Sequence, residues 1–485
     1  MMNKLIVYVA DRQHFYDLEN LIEVFVLKSQ LEFVEDMTAY HEKMTDGDSG
    51  LQLIYETAES VTFVLNHKGT EKKVNIYADK AHFKRNMKRA LYELLAQYYE
   101  PMSKWGILVG IRPVKIVHEL MDKGMTEPEI REILLNDYLI QPEKVNLLLE
   151  IATRERPHLF PVEKDKISVY ICIPFCPTRC LYCSFPSNSL EKKKRLVPEY
   201  LSLLIREIEE TFALIHSKNQ VIDCIYIGGG TPTSLDHQQL EALLKTITGH
   251  TDMTLVKEFT VEAGRPDTID LVKLTLMKQH GVSRVCINPQ TMNDETLVKI
   301  GRNHSADDIF EVMQLVRQVG FHSVNMDLIM GLPGETLTHA EKTLTDCLLM
   351  KPDNVTVHTL AVKRASRLNE NYEQYELTHD QTVEDMMTLA DTKLRTSELI
   401  PYYMYRQKKM IGHLENVGYA LKTYESLYNM RIMEERHTII ALGAGAVSKI
   451  CYPDENRFER VANFKGVEDY ISRFDEVLKR KHFIE

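Results

Sequence analysis

From residue 165 onward the chain repeats one pattern: a short apolar run, a longer amphipathic stretch, then another apolar run. The runs at 167–173, 224–227, 259–262, 284–288, 323–328 and 355–360 have strand length. The stretches between them, such as 197–217, 238–248, 268–280, 306–319 and 337–350, have helical length and periodicity. Strands joined by helices of this length cannot pair as hairpins; they return by right-handed crossovers and form a parallel sheet. Such a sheet closes with eight strands, so six predict an α/β fold built on an open, partial (β/α)6 barrel.

The residues that can carry chemistry fall at the ends of these runs. After the first comes Pro174-Phe175-Cys176-Pro177-Thr178-Arg179-Cys180-Leu181-Tyr182-Cys183, with three thiols spaced by three and then two residues. A loop of this kind can wrap Cys176, Cys180 and Cys183 around one inorganic centre, and a four-iron cluster held by three thiolates keeps one iron open to a small ligand. Zinc is the alternative. With Cys172 included, four thiolates make a tetrahedral set, although structural zinc sites more often show two separated pairs, and Cys172 lies inside an apolar run. A glycine triplet follows the second run, Glu262 ends the third, Pro289-Gln290 follows the fourth, and Asp327 lies near the end of the fifth. Active sites of parallel α/β barrels gather at these carboxyl ends.

The spacing of the three thiols, with Tyr182 just before the last, is similar to that of radical S-adenosylmethionine (SAM) enzymes. Tyr-Ile-Cys-Ile-Pro-Phe-Cys at 170–176, Gly-Gly-Gly-Thr-Pro-Thr at 228–233 and Asp-Leu-Ile-Met-Gly-Leu-Pro-Gly at 327–334 resemble the oxygen-independent coproporphyrinogen III dehydrogenase (oxidase) family. Glu-Ala-Gly-Arg-Pro-Asp at 262–267, Ile-Asn-Pro-Gln-Thr-Met at 287–292 and Tyr-Arg-Gln-Lys-Lys-Met at 405–410 look most like its HemZ-like branch. The resemblance spans about 165–485 and implies a 4Fe-4S cluster on Cys176, Cys180 and Cys183. It also implies SAM held by Tyr182, Gly228, Gly229, Gly230, Thr231, Glu262, Gln290, Arg302 and Asp327. By the same resemblance Glu262 meets the methionyl amine, Arg302 the methionyl carboxylate, and Gln290 and Asp327 the ribose, while Tyr170 is a catalytic residue on the substrate side. Two positions depart from relatives: Cys172, where many carry histidine, and Ser184, where some carry a fourth cysteine.

The implied reaction starts when one electron from a reduced flavodoxin- or ferredoxin-type donor cleaves SAM to methionine and a 5'-deoxyadenosyl radical. The radical takes hydrogen from a propionate of coproporphyrinogen III, carbon dioxide leaves, an electron acceptor takes the remaining electron, and a vinyl group remains; two rounds give protoporphyrinogen IX. A tetracarboxylate tetrapyrrole calls for cations. Candidates are Lys363, Arg364, Arg367, Arg406, Lys408 and Lys409, beneath a lid in which Tyr402, Tyr403 and Tyr405 cluster and Gly443-Ala444-Gly445-Ala446 allows close packing. Two rivals share the core: a haem-binding chaperone, for which His358, His413 or His437 would supply an axial ligand, and a radical enzyme that methylates or opens haem. The region around His413 departs from the histidine-asparagine motif of such chaperones.

Length and composition bound the rest. A chain of 485 residues exceeds one ordinary core, and three regions are expected: an α+β module with a small helical bundle at 1–160, the barrel at 165–375 and a substrate lid at 376–485. The front strands are expected to be mostly antiparallel, with helix near 21–27 and 80–99, and 154–157 as a link. Gly106 and Gly110 with Arg112 and Lys115 can frame an anion site or a turn. Eight cysteines, four of them packed between 172 and 183, make no disulfide framework and fit a reducing, cytoplasmic setting. No apolar run reaches the roughly 18 residues of a membrane span. A net charge of -11 disfavours general attraction to nucleic acid or anionic membrane.

Overall fold

A computed structural model describes residues 4–9, 15–45, 48–57, 59–78, 82–110, 112–185 and 188–484. The chain forms two compact units, 1–150 and 151–485.

In the first unit five strands make one sheet: β1 (Leu5–Val9), β2 (Leu31–Val34), β3 (Ser49–Thr57), β4 (Ser60–His67) and β5 (Thr70–Tyr77), in the order β2-β1-β3-β4-β5. β1 runs parallel to both β2 and β3, so the sheet is mixed rather than mostly antiparallel. Alternate residues such as Leu51, Leu53, Val61, Phe63 and Leu65 form a core with Phe83, Met87, Leu91 and Leu95 of the helix Phe83–Leu95. Of the stretch 21–27, expected to be helical, only the first two residues are: the helix is Phe15–Ile22, and 23–27 turn away from it; helices Val114–Asp122 and Glu127–Asn136 follow. Gly106 serves packing: at φ +53 a Cβ there would lie 2.2 Å from the Tyr138 carbonyl oxygen. Residues 154–157, expected as a link, are helical within Pro142–Leu159. Arg154 donates to the carbonyls of Ile400 and Ala420 and pairs with Glu425 at 2.6 Å.

The second unit is built on six parallel strands that stand side by side in chain order: β6 (Lys166–Ile173), then β9 (Val221–Gly229), β10 (Glu258–Glu262), β11 (Arg284–Gln290), β12 (Ser323–Met330) and β13 (Asn354–Thr359). Two short strands, β7 (Phe175–Cys176) and β8 (Asn188–Ser189), pair parallel to one another after β6. Buried, largely apolar strands suit a sheet covered on its faces, and local caps set the helices between them. Asp236 with Gln239, and Ser305 with Asp308, form reciprocal capping boxes at the starts of His237–Gly249 and Ala306–Val319. The sheet is open, as expected, and its edges are extended by the tail. β14 (Ile400–Tyr405) and β15 (Asn416–Ala420) add antiparallel beyond β13. β16 (Ile439–Leu442) adds parallel to β6, followed by β17 (Val447–Tyr452) and β18 (Arg457–Ala462). The segment expected as a lid thus also completes the sheet at both sides.

Candidate functional site

A cavity of about 350 Å³ opens at the carboxyl ends of β9 to β13. The cysteine loop forms one side of it. Its ends are pinned where Phe175 and Cys176 pair with Asn188 and Ser189, and its middle where Leu181 N donates to Ile300 O at 2.9 Å and Thr178 Oγ1 to Gly301 O at 3.0 Å. Cys176, Cys180 and Cys183 all line the cavity. Burial pushes the Cys176 thiol up to about 11; the Thr231 hydroxyl, 3.5 Å from Sγ, opposes this, and the other two thiols add to it. Burial likewise raises Cys183. Cys176 and Cys183 thus resist ionisation without a metal, and a bound cation reverses that preference.

The glycine turn brings the loop close. At Gly230 a Cβ would lie 2.5 Å from Phe175 O and 2.9 Å from Cys176 Sγ; Gly229, at φ +110, would meet Cys172 Sγ at 2.7 Å. The amides of Gly230 and Thr231 donate to Ile173 O and Phe175 O, each at 2.8 Å. The turn's role here is close approach of backbone to thiol, rather than amides left open to a ligand.

Glu262, Gln290, Arg302 and Asp327 line the same cavity, as do Tyr182, Gly229, Gly230 and Thr231, and Arg302 Nη2 reaches the loop at Tyr182 Oη, 3.5 Å away. Burial raises the Glu262 carboxyl to about 7; the Tyr226 hydroxyl, donating at 2.6 Å, opposes the shift, and the Asp327 charge reinforces it. Asp327 is half-buried, and this partial loss of water by itself raises it. His358, Asn325 and Thr356 outweigh that and leave it below the usual carboxylate range. Gln290 sits at φ +70, where β11 shifts register against β12, a costly conformation for a residue with a side chain. Arg302 Nη1 donates to Asn288 O at 2.6 Å and Gly264 O at 3.2 Å, while its buried Nε, and Asn288 Oδ1, have no hydrogen-bond partner.

Other expected residues stand elsewhere. Gly228 lies under Glu262, with a Cβ position 3.0 Å from the carboxyl carbon, and does not line the cavity. Tyr170 lies outside the lining, stacked 6.0 Å from Tyr226 and 6.1 Å from Tyr428. Cys172 is buried among Ala441, Ala446 and Tyr170. Lys363, Tyr403 and Tyr405 line the cavity; Arg364, Arg367, Lys408 and Lys409 are exposed outside it. Arg406 is buried, with Nη2 donating to His413 O at 2.8 Å. Tyr402 takes a hydrogen bond from Asn429 Nδ2 at 3.2 Å, and Gly443 packs against the Cys172 carbonyl beside β6. His437 is buried away from the cavity.

Two groups escaped the sequence reading. Tyr226, in mid-strand, carries the hydroxyl that holds Glu262. His358, considered only as a haem ligand, faces Asp327 Oδ2 at 3.7 Å through Nε2 and Tyr405 Oη at 3.2 Å through Nδ1. The alternation along β13 puts His358 on the same face as Thr356, which was the available signal.

A model of the radical SAM superfamily matches residues 170–347. The oxygen-independent coproporphyrinogen-III oxidase-like protein HemZ of Bacillus subtilis (strain 168) is 40% identical over 383 residues, 78% of this chain and 76% of that protein. The chain belongs to the HemZ-like family of radical SAM proteins. It is also 37% identical over 200 residues to the haem chaperone HemW of the same organism, covering 40% of this chain and 51% of HemW. Among solved structures, the coproporphyrinogen III oxidase HemN of Escherichia coli, described as a radical SAM enzyme, shares the fold at a TM-score of 0.51 and 22% identity, over 67% of this chain and 73% of that one.

Radical SAM proteins use a 4Fe-4S cluster and SAM, and the residues present fit both. Three thiols share one cavity, and an unpartnered guanidinium nitrogen lies in its wall. The four-thiolate zinc alternative does not fit, because Cys172 is packed in the core beside β16 and not with the other three. No helix among the described residues is long and apolar enough to cross a membrane.

Proposed function

We propose that this protein oxidatively decarboxylates propionate side chains of coproporphyrinogen III to vinyl groups, giving protoporphyrinogen IX. One observation carries the reading: a three-thiol corner and a wall of Glu262, Gln290, Arg302 and Asp327 share a single chamber at the strand ends. Cys176, Cys180 and Cys183 would hold the cluster. Glu262 would take the SAM ammonium, Arg302 its carboxylate, and Gln290 and Asp327 its sugar hydroxyls, with Tyr182 and Thr231 beside the thiolates. When bound, the two cofactors supply the one-electron chemistry that removes hydrogen from an unactivated carbon.

The chain's own residues orient and select. About 350 Å³ lies at the small end of ligand sites, a size suited to a cofactor with one arm of a substrate reaching in. Lys363 in the lining would pair with the arm's carboxylate. Burial lowers its pKa, and the Cys183 thiol opposes that shift. Tyr170 would act from behind, bracing the Tyr226 ring whose hydroxyl fixes Glu262.

A second reading, haem handling, is favoured by the likeness to HemW. Against it, His358 is the one histidine lining the cavity among the described residues, and both its ring nitrogens face partners. Anaerobic incubation of the reconstituted protein with SAM, a strong reductant and either coproporphyrinogen III or haem tests the choice. Vinyl product and carbon dioxide are expected. Tight haem binding without turnover, or altered haem, would overturn the proposal.

A further inference from the structure

The cluster loop and the segment that leaves β13 are stitched together at three points. Arg179 Nη2 donates to the Ala365 carbonyl, Leu368 N donates to Leu181 O at 2.9 Å, and the Lys363 ammonium lies 5.7 Å from the centre of the Phe185 ring. Residues 174–185 and 360–369 contain four cations, Arg179, Lys363, Arg364 and Arg367, and no acidic residue, in a chain where acids outnumber Lys and Arg by 70 to 59. Arg364 and Arg367 are exposed, and Phe185 is 64% exposed. The result is a local basic rim around an exposed aromatic ring, beside the thiols of the cavity. A partly apolar contact within a charged surround is the composition of a specific docking surface, with the charges setting orientation and rate of encounter.

The two arginines do not line the cavity, so what they recognise lies outside it. Resting on the proposed function, the cluster behind this rim must be reduced from outside, one electron at a time. We propose that the surface formed by Arg179, Phe185, Lys363, Arg364 and Arg367 docks the electron donor, and that the donor is a small acidic one-electron carrier protein. With a net charge of -11 the protein as a whole disfavours an acidic carrier, so this basic-rich rim would both attract it and orient it towards the thiols.

The test uses the full-length reconstituted protein and its R364E/R367E variant. SAM cleavage without tetrapyrrole is driven either by a reduced flavodoxin or by dithionite, and flavodoxin binding is measured separately by titration calorimetry. The expected result is a loss of at least about tenfold in flavodoxin-driven kcat/KM for the variant at low salt, a wild-type rate that falls as salt rises, and unchanged dithionite-driven cleavage. Equal flavodoxin rates and equal flavodoxin binding in the two proteins would overturn the proposal. So would a variant whose only defect is a raised KM for coproporphyrinogen III, since the arginines would then serve the substrate. A wild type that binds flavodoxin through these arginines yet cleaves no SAM with either reductant would count against the decarboxylase reading and leave the docking face standing.

Discussion

Glu262 is the residue whose charge state matters most to the cavity. Burial, opposed by the Tyr226 hydrogen bond and reinforced by Asp327, puts its carboxyl at about 7. A raised carboxyl pKa means that the anion is lost as pH falls through that value. If the anion holds the SAM ammonium, the Kd for SAM rises roughly tenfold per pH unit as pH falls below about 7. Calorimetry across that range checks this, with Glu262→Gln expected to give a weak, pH-independent Kd. Tyr226→Phe removes a hydrogen bond to the anion and should move the midpoint upward. A wild-type affinity that does not change with pH would remove Glu262 from the ammonium site. The cysteines divide just as sharply. Cys176→Ala, Cys180→Ala and Cys183→Ala should each abolish SAM cleavage. Cys172→Ala, at a buried site outside the cavity, should keep its iron and sulfide and cost about 1 kcal/mol in denaturant unfolding.

At the scale of elements the decisive fit is between the glycine turn after β9 and the cysteine loop after β6. Gly230→Ala would place a methyl 2.5 Å from the Phe175 carbonyl oxygen, and a backbone contact cannot swing aside as a side chain can. We expect about 1–3 kcal/mol of destabilisation and fewer irons per chain after reconstitution, measured together by unfolding and metal analysis. The six barrel strands and their helices were legible in the sequence because their signals are local: apolar runs of strand length and amphipathic stretches of crossover length. The thiol and carboxylate positions at the strand ends were legible for the same reason. β2 was not, because its half-exposed Leu31, Glu32 and Phe33 show no clean alternation. Nor could a local pattern reveal that β1 pairs parallel to both neighbours, since strand direction is set by the path between strands. Gln290 at φ +70 was equally hidden, as nothing in Asn-Pro-Gln-Thr announces a left-handed residue.

Across the second unit, what the sequence concealed is assembly over long separations. Asp327, His358 and Tyr405 meet through three strands, and only their register brings an imidazole between a carboxylate and a phenol. The tail hides more: β16 adds to β6 as a parallel neighbour, and no periodicity encodes that pairing. Its anchor is Glu207 on the helix Val197–Ser217. The buried carboxylate accepts from Gly443 N at 2.8 Å, Asn463 Nδ2 at 2.8 Å and Tyr470 Oη at 2.6 Å, and pairs with Lys481 at 3.0 Å. Lys481 is 2% exposed, and its ammonium also donates to Ala441 O in β16 at 2.7 Å. Lys481→Met keeps the stem and removes the cation, leaving a carboxylate sealed from water with neutral donors alone. Removing one partner of a buried ion pair costs about 3–5 kcal/mol, far more than a surface pair is worth. Because β6 delivers the cysteine loop, loosening its neighbour β16 should also weaken the cluster site. The variant is expected to unfold at lower denaturant and to lose iron faster on mild warming, while Lys193→Met, which breaks a surface pair with Glu468, changes neither. Equal stability of the Lys481 and Lys193 variants would mean that the tail only covers the barrel and does not hold its first strand in place.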